Sequence, residues 1–324
     1  MKGKIGIKDI IIIVLLLIII GGCIFIVKKD NDNKKEIEEV VEKPKEEDKL
    51  EYYDKDLESF KDVLNEKDII GSDIEDSNIV NDLKSKANIV ISGGQKDLSD
   101  SENMFSQLSV WTDFTNLSDG DKMSIILYRN FDKFHEITDE SYKSKVKPEY
   151  DMTKDARLSE EEYLCESGDS CMMNYIDYSE VKDDYLKIFG DVKTKKINEV
   201  VSCPVFLYLK TTDSFISYGG CGGAGYPGIY TYIYKVTSDE DKAYVYVASL
   251  TGDVEGKVYS GIPTQAKNVD KLFKVKETSE NVDLLKLLKS YYKKFDNYRL
   301  EFKKDSNGNY IFVDAKLIAE QNGK

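Results

Sequence analysis

Gly220-Cys221-Gly222-Gly223-Ala224-Gly225 has the G-x-G-x-x-G spacing that lets a backbone approach a pyrophosphate at a helix N-terminus. Here Tyr226-Pro227-Gly228 and a tyrosine-rich strand pattern follow in place of a helix, and no Gly-Lys-Ser/Thr accompanies it. The segment therefore reads as a close-packed turn between strands, and no nucleotide cofactor is expected. Gly168-Asp169-Ser170 begins like a serine-protease nucleophile motif, but Cys171 stands where glycine should follow. Any serine or cysteine nucleophile also needs a base, and His135 is the sole histidine. A Cys/His pair of His135 with Cys165 or Cys203 has no local mark. His135 itself is expected at the C-terminal end of a helix, where an imidazolium favours the dipole.

Metal chemistry fares no better. Zinc favours C-x-x-C or clustered histidines, whereas five residues separate Cys165 from Cys171 and seventeen separate Cys203 from Cys221. A calcium loop begun at Asp305 has Asn307 and Asn309 in place. It then meets Tyr310 where glycine is needed and Lys316 where the bidentate glutamate belongs. The acidic runs 73–76 and 97–102 read as solvated surface, and no metal site is expected. With 60 acidic residues in the chain, no pair of carboxylates stands out for glycoside hydrolysis.

Four cysteines outside the N-terminal apolar run make an even number, which suits two disulfides in an oxidising compartment. The stretch "CPVFLYLKTTDSFISYGGC" reads as two strands turning at 211–213. That register puts Cys203 opposite Cys221 and leaves Cys165 to pair with Cys171 across the polar loop "ESGDS". The alternative is a cytoplasmic domain with four reduced thiols.

Residues 10–27 are an unbroken apolar run behind a short basic tail, 1–9. As a helix the run measures about 27 Å, close to a bilayer's hydrocarbon core. It is read as an uncleaved transmembrane anchor, because Ile24-Phe25-Ile26-Val27 carries the apolar character into Lys28-Lys29. A second reading takes Ile20-Gly21-Gly22-Cys23 as a lipobox with Cys23 lipidated, and a third a cleaved signal. Lysines flank both ends, so orientation rests on the cysteines: the bulk of the chain is expected on the extracytoplasmic side of a cell membrane. Residues 28–59 read as a charged stalk, and 60–324 as an α+β domain, or two subdomains split near 190–200. The net charge of −14 and pI near 4.8 exclude nucleic acid as a natural partner. Arginine-poor, isoleucine- and tyrosine-rich usage suits an AT-rich bacterial source.

The elements that must position any site follow from periodicity. Ile79, Val80, Leu83 and Ala87 recur at helical spacing, as do Phe105, Leu108 and Trp111. Ser118 to Asp121 is a capping-box pattern ahead of Met123, Ile126, Leu127, Phe131 and Phe134. Another helix is expected from Glu180 with Ser179 as cap, a stripe of Val181, Tyr185, Leu186 and Phe189, and Gly190 as stop. After Val201 the period becomes two. "YIYKVTSDEDKAYVYVAS" reads as a hairpin closing on 238–241, with Tyr232 opposite Val247, Tyr234 opposite Val245 and a core face built from them. Asn307-Gly308 predicts a two-residue turn that pairs Phe302 with Val313, Leu300 with Ala315 and Tyr298 with Leu317. A leucine- and tyrosine-striped helix, from Leu284 to Phe295, is expected over that face. Helices first, then strands, then a helix and hairpin give an α+β fold with antiparallel sheet.

The expected function is a membrane-anchored extracytoplasmic binding or envelope-interaction module, non-catalytic, whose partner is an envelope polymer or protein. The runner-up is a hydrolase of envelope polymers. The expected ligand surface is the set of tyrosines Tyr218, Tyr226, Tyr244 and Tyr246, since exposed phenols give broad amphipathic contact.

Overall fold

A computed structural model describes residues 57, 60–95, 104–106, 113–146, 173–195, 197, 205–218, 228–252, 257–261, 271–274 and 284–321. All of them fall within one compact unit, Tyr52–Lys324. No described helix is long and apolar enough to cross a membrane, and residues 10–27 and Cys23 lie outside the described residues.

The fold is α+β with antiparallel sheets. Strand β1 (Ser72–Asp73) precedes helix α1 (Ser77–Ile91), which Asp76 caps by accepting from the Asn78 N–H at 2.8 Å. Strand β2 (Met104–Ser106) lies against β7 (Gly228–Asp239), so Phe105 belongs to a strand and not to the helix its spacing suggested. Helix α2 (Asp119–Arg129) starts as its sequence predicts. The Ser118 Oγ accepts from the Asp121 N–H at 3.1 Å while the Asp121 carboxylate accepts from the Ser118 N–H at 2.9 Å. That helix stops at Arg129, and His135 lies beyond it in β3 (His135–Glu136), a correction to its expected place at a helix end. Strand β4 (Asn174–Asp177) leads into α3 (Tyr178–Phe189). Its cap is Asp177, with Glu180 closing the capping box, two residues earlier than Ser179 would have it. Gly190 ends α3 at φ 73, and Ile188 joins Val181, Tyr185 and Phe189 in the core where Leu186 was expected.

The larger sheet runs β1-β7-β8-β11-β12, where β8 is Lys242–Gly252, β11 Asp296–Lys304 and β12 Tyr310–Ala319. β2 adds to β7, β9 (Lys257–Ser260) to β8, and β10 (Lys271–Lys274) to β9. The smaller sheet runs β3-β4-β6-β5, with β5 Val205–Leu209 and β6 Ser214–Tyr218. One hydrophobic cluster draws Leu83, Val90, Met123 and Val181 from the three helices, Val245, Leu300 and Phe312 from the large sheet, and Ile176 and Phe215 from the small one. It runs across residues 190–200. Each such fully buried side chain contributes roughly 1.5–3 kcal/mol of transfer free energy.

Three registers differ from those read off the sequence. The β7–β8 hairpin turns on Glu240 and Asp241 alone, with Glu240 at φ 53, so Val236 faces Val245 and Ser238 faces Ala243. The register then shifts between Ile233 and Lys235, and Tyr232 faces Ala248. This bulge turns Tyr232 and Tyr234 away from the helix-covered core, which takes Ile229, Ile233 and Val236 instead. In the C-terminal hairpin, Leu300–Ala315 and Tyr298–Leu317 hold as expected, but Phe302 pairs with Phe312 and Val313 bulges out, 46% exposed. Asp305 causes the slip: its Oδ1 accepts from the Asn307 and Asn309 N–H groups, each at 2.8 Å, and widens the loop around Asn307-Gly308. The β5–β6 hairpin pairs Leu209 with Ser214, closing on four residues instead of three. The register that made Cys203 face Cys221 is therefore not the register of this hairpin. Both cysteines, with Cys165 and Cys171, lie outside the described residues.

Helix α4 (Leu284–Tyr291) covers the other face of the large sheet. It lies on β7 and β8, not on the C-terminal hairpin, with Leu284 close over Gly252.

Candidate functional site

The second face of the large sheet carries a cluster of tyrosines. Tyr234 stacks on Tyr292 with ring centroids 4.5 Å apart and 31° between planes, and its other neighbours are Tyr232 at 6.3 Å and Tyr246 at 6.1 Å. Tyr292 belongs to a short 3₁₀ turn, Tyr292–Lys294, that continues α4. Part of this cluster opens into a cleft of about 500 Å³ lined by Tyr234, Tyr292, Asn65, Glu66, Ile69 and Lys293. That volume lies within the range of about 300–1,000 Å³ common to small-ligand sites.

The wall of the cleft is the segment leading into β1, held at both ends. At one end the Lys293 carbonyl accepts from the Val63 and Leu64 N–H groups, at 2.8 and 3.2 Å, and the Lys294 Nζ donates to the carbonyls of Leu57 and Phe60. At the other end the Ile70 N–H donates to the Tyr246 hydroxyl at 2.8 Å, and Thr237 Oγ1 donates to the Ile70 carbonyl at 2.6 Å. Gly71 follows at φ 78, where a Cβ would come within 2.7 Å of the Ser238 carbonyl oxygen. Between these pins, residues 65–69 arch past Tyr234. A 3₁₀ turn over Glu66–Asp68 shapes the arch, and Asp68 accepts from the Asn65 N–H at 2.8 Å.

The Tyr234 hydroxyl is buried and has no hydrogen-bond partner in the protein. Burial, then the neighbouring Tyr292 and Tyr246 phenols and Asp68, push its pKa upward, so the group stays a neutral phenol. Tyr234 is the residue that the bulge in β7 leaves without a strand partner in β8. An unmet buried hydroxyl costs about 1–3 kcal/mol, and Thr231 Oγ1 and Ser249 Oγ are likewise buried without a hydrogen-bond partner.

Two of the tyrosines expected to form the ligand surface are buried. Tyr244 and Tyr246 are 5% and 0% exposed, so neither ring is a surface contact, and Tyr246 instead anchors the cleft wall. Tyr218 ends β6 opposite Val205, and Tyr226 lies outside the described residues. Tyr234 and Tyr292 take their place at the cleft. Tyr292 was legible only as part of a helical stripe, and Tyr234 only as a core residue.

His135 is exposed and its Nε2 stands 3.2 Å from both carboxylate oxygens of Glu180, with the Tyr175 ring alongside at 5.3 Å. The pair ties β3 to the first turn of α3. A second cleft, of about 310 Å³, lies where α1, α2 and α3 meet. Its charges are largely matched: the nearly buried Lys86 Nζ meets Asp82 at 2.7 Å and the Tyr310 carbonyl at 2.7 Å, and Lys133 meets Asp184 at 3.4 Å. Among the described residues no group of three or more His, Cys, Asp or Glu is placed to hold a metal ion.

No protein-family model, curated protein or solved structure matches this chain.

Proposed function

We propose that the chain is a membrane-anchored, extracytoplasmic binding module that engages an envelope polymer or protein without turning it over. Residues 10–27 supply the anchor and residues 28–59 the stalk in this reading, with Cys23 the lipidation point in its lipoprotein variant. The observation that supports binding is the cleft of about 500 Å³ that Tyr234 and Tyr292 line together with Asn65, Glu66 and Lys293. Concave surface that combines aromatic side chains with a few polar groups is a usual form of recognition site. The proposed placement rests on the apolar run and on four cysteines suited to an oxidising compartment.

The test uses the full chain in lipid nanodiscs mixed with purified bacterial cell-wall sacculi. Co-sedimentation is expected, reduced at least fivefold by Tyr292→Ala, with no soluble fragments released from the sacculi. Release of fragments would instead favour the hydrolase reading, and a chain that stays in the supernatant would remove the wall polymer as partner.

A further inference from the structure

We propose that β12 is a dimer edge, along which a second copy of this chain pairs antiparallel about a two-fold axis at Ala315. β12 ends the large sheet, and β11 is its only strand neighbour among the described residues. The Ala315 N–H donates to the Asp314 Oδ1 at 2.9 Å, a bond within its own strand that marks the open edge. Val313, the most exposed large hydrophobic side chain among the described residues, lies on the same strand. An open edge presents backbone donors and acceptors to any incoming strand, and here the charges select which one. On the face that β11 and β12 share, like charges oppose each other: Glu301 faces Asp314, and Arg299 faces Lys316. Directly opposed like charges destabilise a strand pair. The β11 members are compensated from β8, Glu301 by the Lys242 Nζ at 2.7 Å and Arg299 by the Tyr244 ring, 5.5 Å from its guanidinium. Asp314 and Lys316 keep a single ion pair among the described residues, an exposed one with each other at 3.5 Å.

A second copy supplies what β11 does not. With Ala315 opposite itself, Asp314 of each chain faces Lys316 of the other, and Val313 faces Leu317. The Ala315 N–H and carbonyl then exchange hydrogen bonds with those of the second copy, as a hydrogen-bonded pair of an antiparallel ladder does. The neighbouring registers that keep the same backbone groups facing set Asp314 opposite itself or Lys316 opposite itself, so charge selects this one. Bulges at Val313 and Ile318 confine the regular edge to 314–317, too short a ladder for a long foreign strand.

The test is the association state of the full chain in detergent micelles, read by sedimentation velocity over a concentration series. Wild type should dimerise reversibly. Asp314→Lys and Lys316→Asp should each weaken self-association about tenfold or more, because either reversal sets like charges opposite each other on both sides of the axis. Mixing the two variants, each with its own affinity tag, should restore dimers that carry both tags, since every charge then meets its opposite. The chain with both reversals should dimerise as wild type does. Each single reversal also removes a like-charge facing on β11, so its melting temperature, measured where wild type is monomeric, should not fall. Lost association is thereby told apart from lost fold. A wild type that stays monomeric throughout the series overturns the proposal. Association indifferent to the reversals, as through residues 10–27, also overturns it, and so do mixed variants that stay apart.

Discussion

Asp213 holds the turn between β5 and β6 at φ 51, a left-handed conformation that aspartate and asparagine tolerate better than most residues. Its carboxylate lies 2.5 Å from the Lys195 Nζ and accepts from the Tyr208 hydroxyl at 2.6 Å, while the Lys195 ammonium sits 3.6 Å from the Tyr178 ring centroid. Partial burial alone would raise the carboxyl's pKa, but the two hydrogen bonds and the lysine charge outweigh it and hold it below the ordinary carboxylate value. A depressed carboxylate stabilises the fold at pH values above its unfolded pKa, about 3.9, and that contribution disappears as pH falls through the lower folded value. Asp213→Asn keeps the turn geometry and removes the charge. It should therefore cost at most about 1 kcal/mol at pH 7, the size of an exposed pair, and in urea titrations the gap from wild type should close as pH falls below the ordinary carboxylate value. A gap that widens on acidification would show that the charge opposes folding. The capping residues Ser118 and Asp121 were legible because their chemistry is local in sequence. Asp213 and Tyr234 were not, because their partners are set by registers that the side-chain alternation does not fix.

Hairpin turns show the same limit at the level of elements. Positive φ at Glu240 makes a two-residue turn from a sequence with no Asn-Gly, which is why the β7–β8 register was misread by two residues at the turn. At Asn307-Gly308 the turn signal was present, yet the side chain of Asp305 captured the loop's N–H groups and lengthened it. The α1, α2 and α3 stripes were legible because they follow a period of 3.6, although the α3 cap fell two residues earlier and Phe105 went to a strand. Two glycines separate backbone strain from packing. Gly308 at φ 83 has open space around it, whereas a Cβ at Gly94, φ 87, would run into the Ile125 carbonyl of α2. Gly308→Ala should cost about 1–2 kcal/mol, the left-handed penalty alone. Gly94→Ala must add displacement of α1 from α2 and should cost roughly 3 kcal/mol or more, with both measured by denaturant midpoint at unchanged slope. Equal costs would mean that the α1–α2 junction yields without repacking.

For the whole molecule, the α+β class and the antiparallel sheets followed from the order of periodicities, because helices must cover the faces that alternating strands leave apolar. The second layer, α4 with its 3₁₀ turn over β7 and β8, did not follow. A sheet buried on both faces loses the polar-outward alternation that marks a surface, and β8 is buried along nearly its whole length. That two-sided burial is also what makes the proposed topology testable. A tightly covered sheet resists proteases, while the stretch proposed as a stalk, 28–59, is mixed in charge and rich in lysine. With the bulk of the chain outside, trypsin added to intact cells should cut within 28–59, release a large fragment recognised by an antibody to 60–324, and leave the N-terminal piece with the membrane. If Cys23 is lipidated, that piece begins at the cysteine and carries labelled fatty acid; if residues 10–27 span the bilayer, it retains Met1 and carries none. The released fragment, alkylated before reduction, should show no free thiol at Cys165, Cys171, Cys203 or Cys221. Protection of the whole chain in cells whose outer proteins are digested, together with four reactive thiols, would reverse the orientation and move the cleft to the cytoplasmic side.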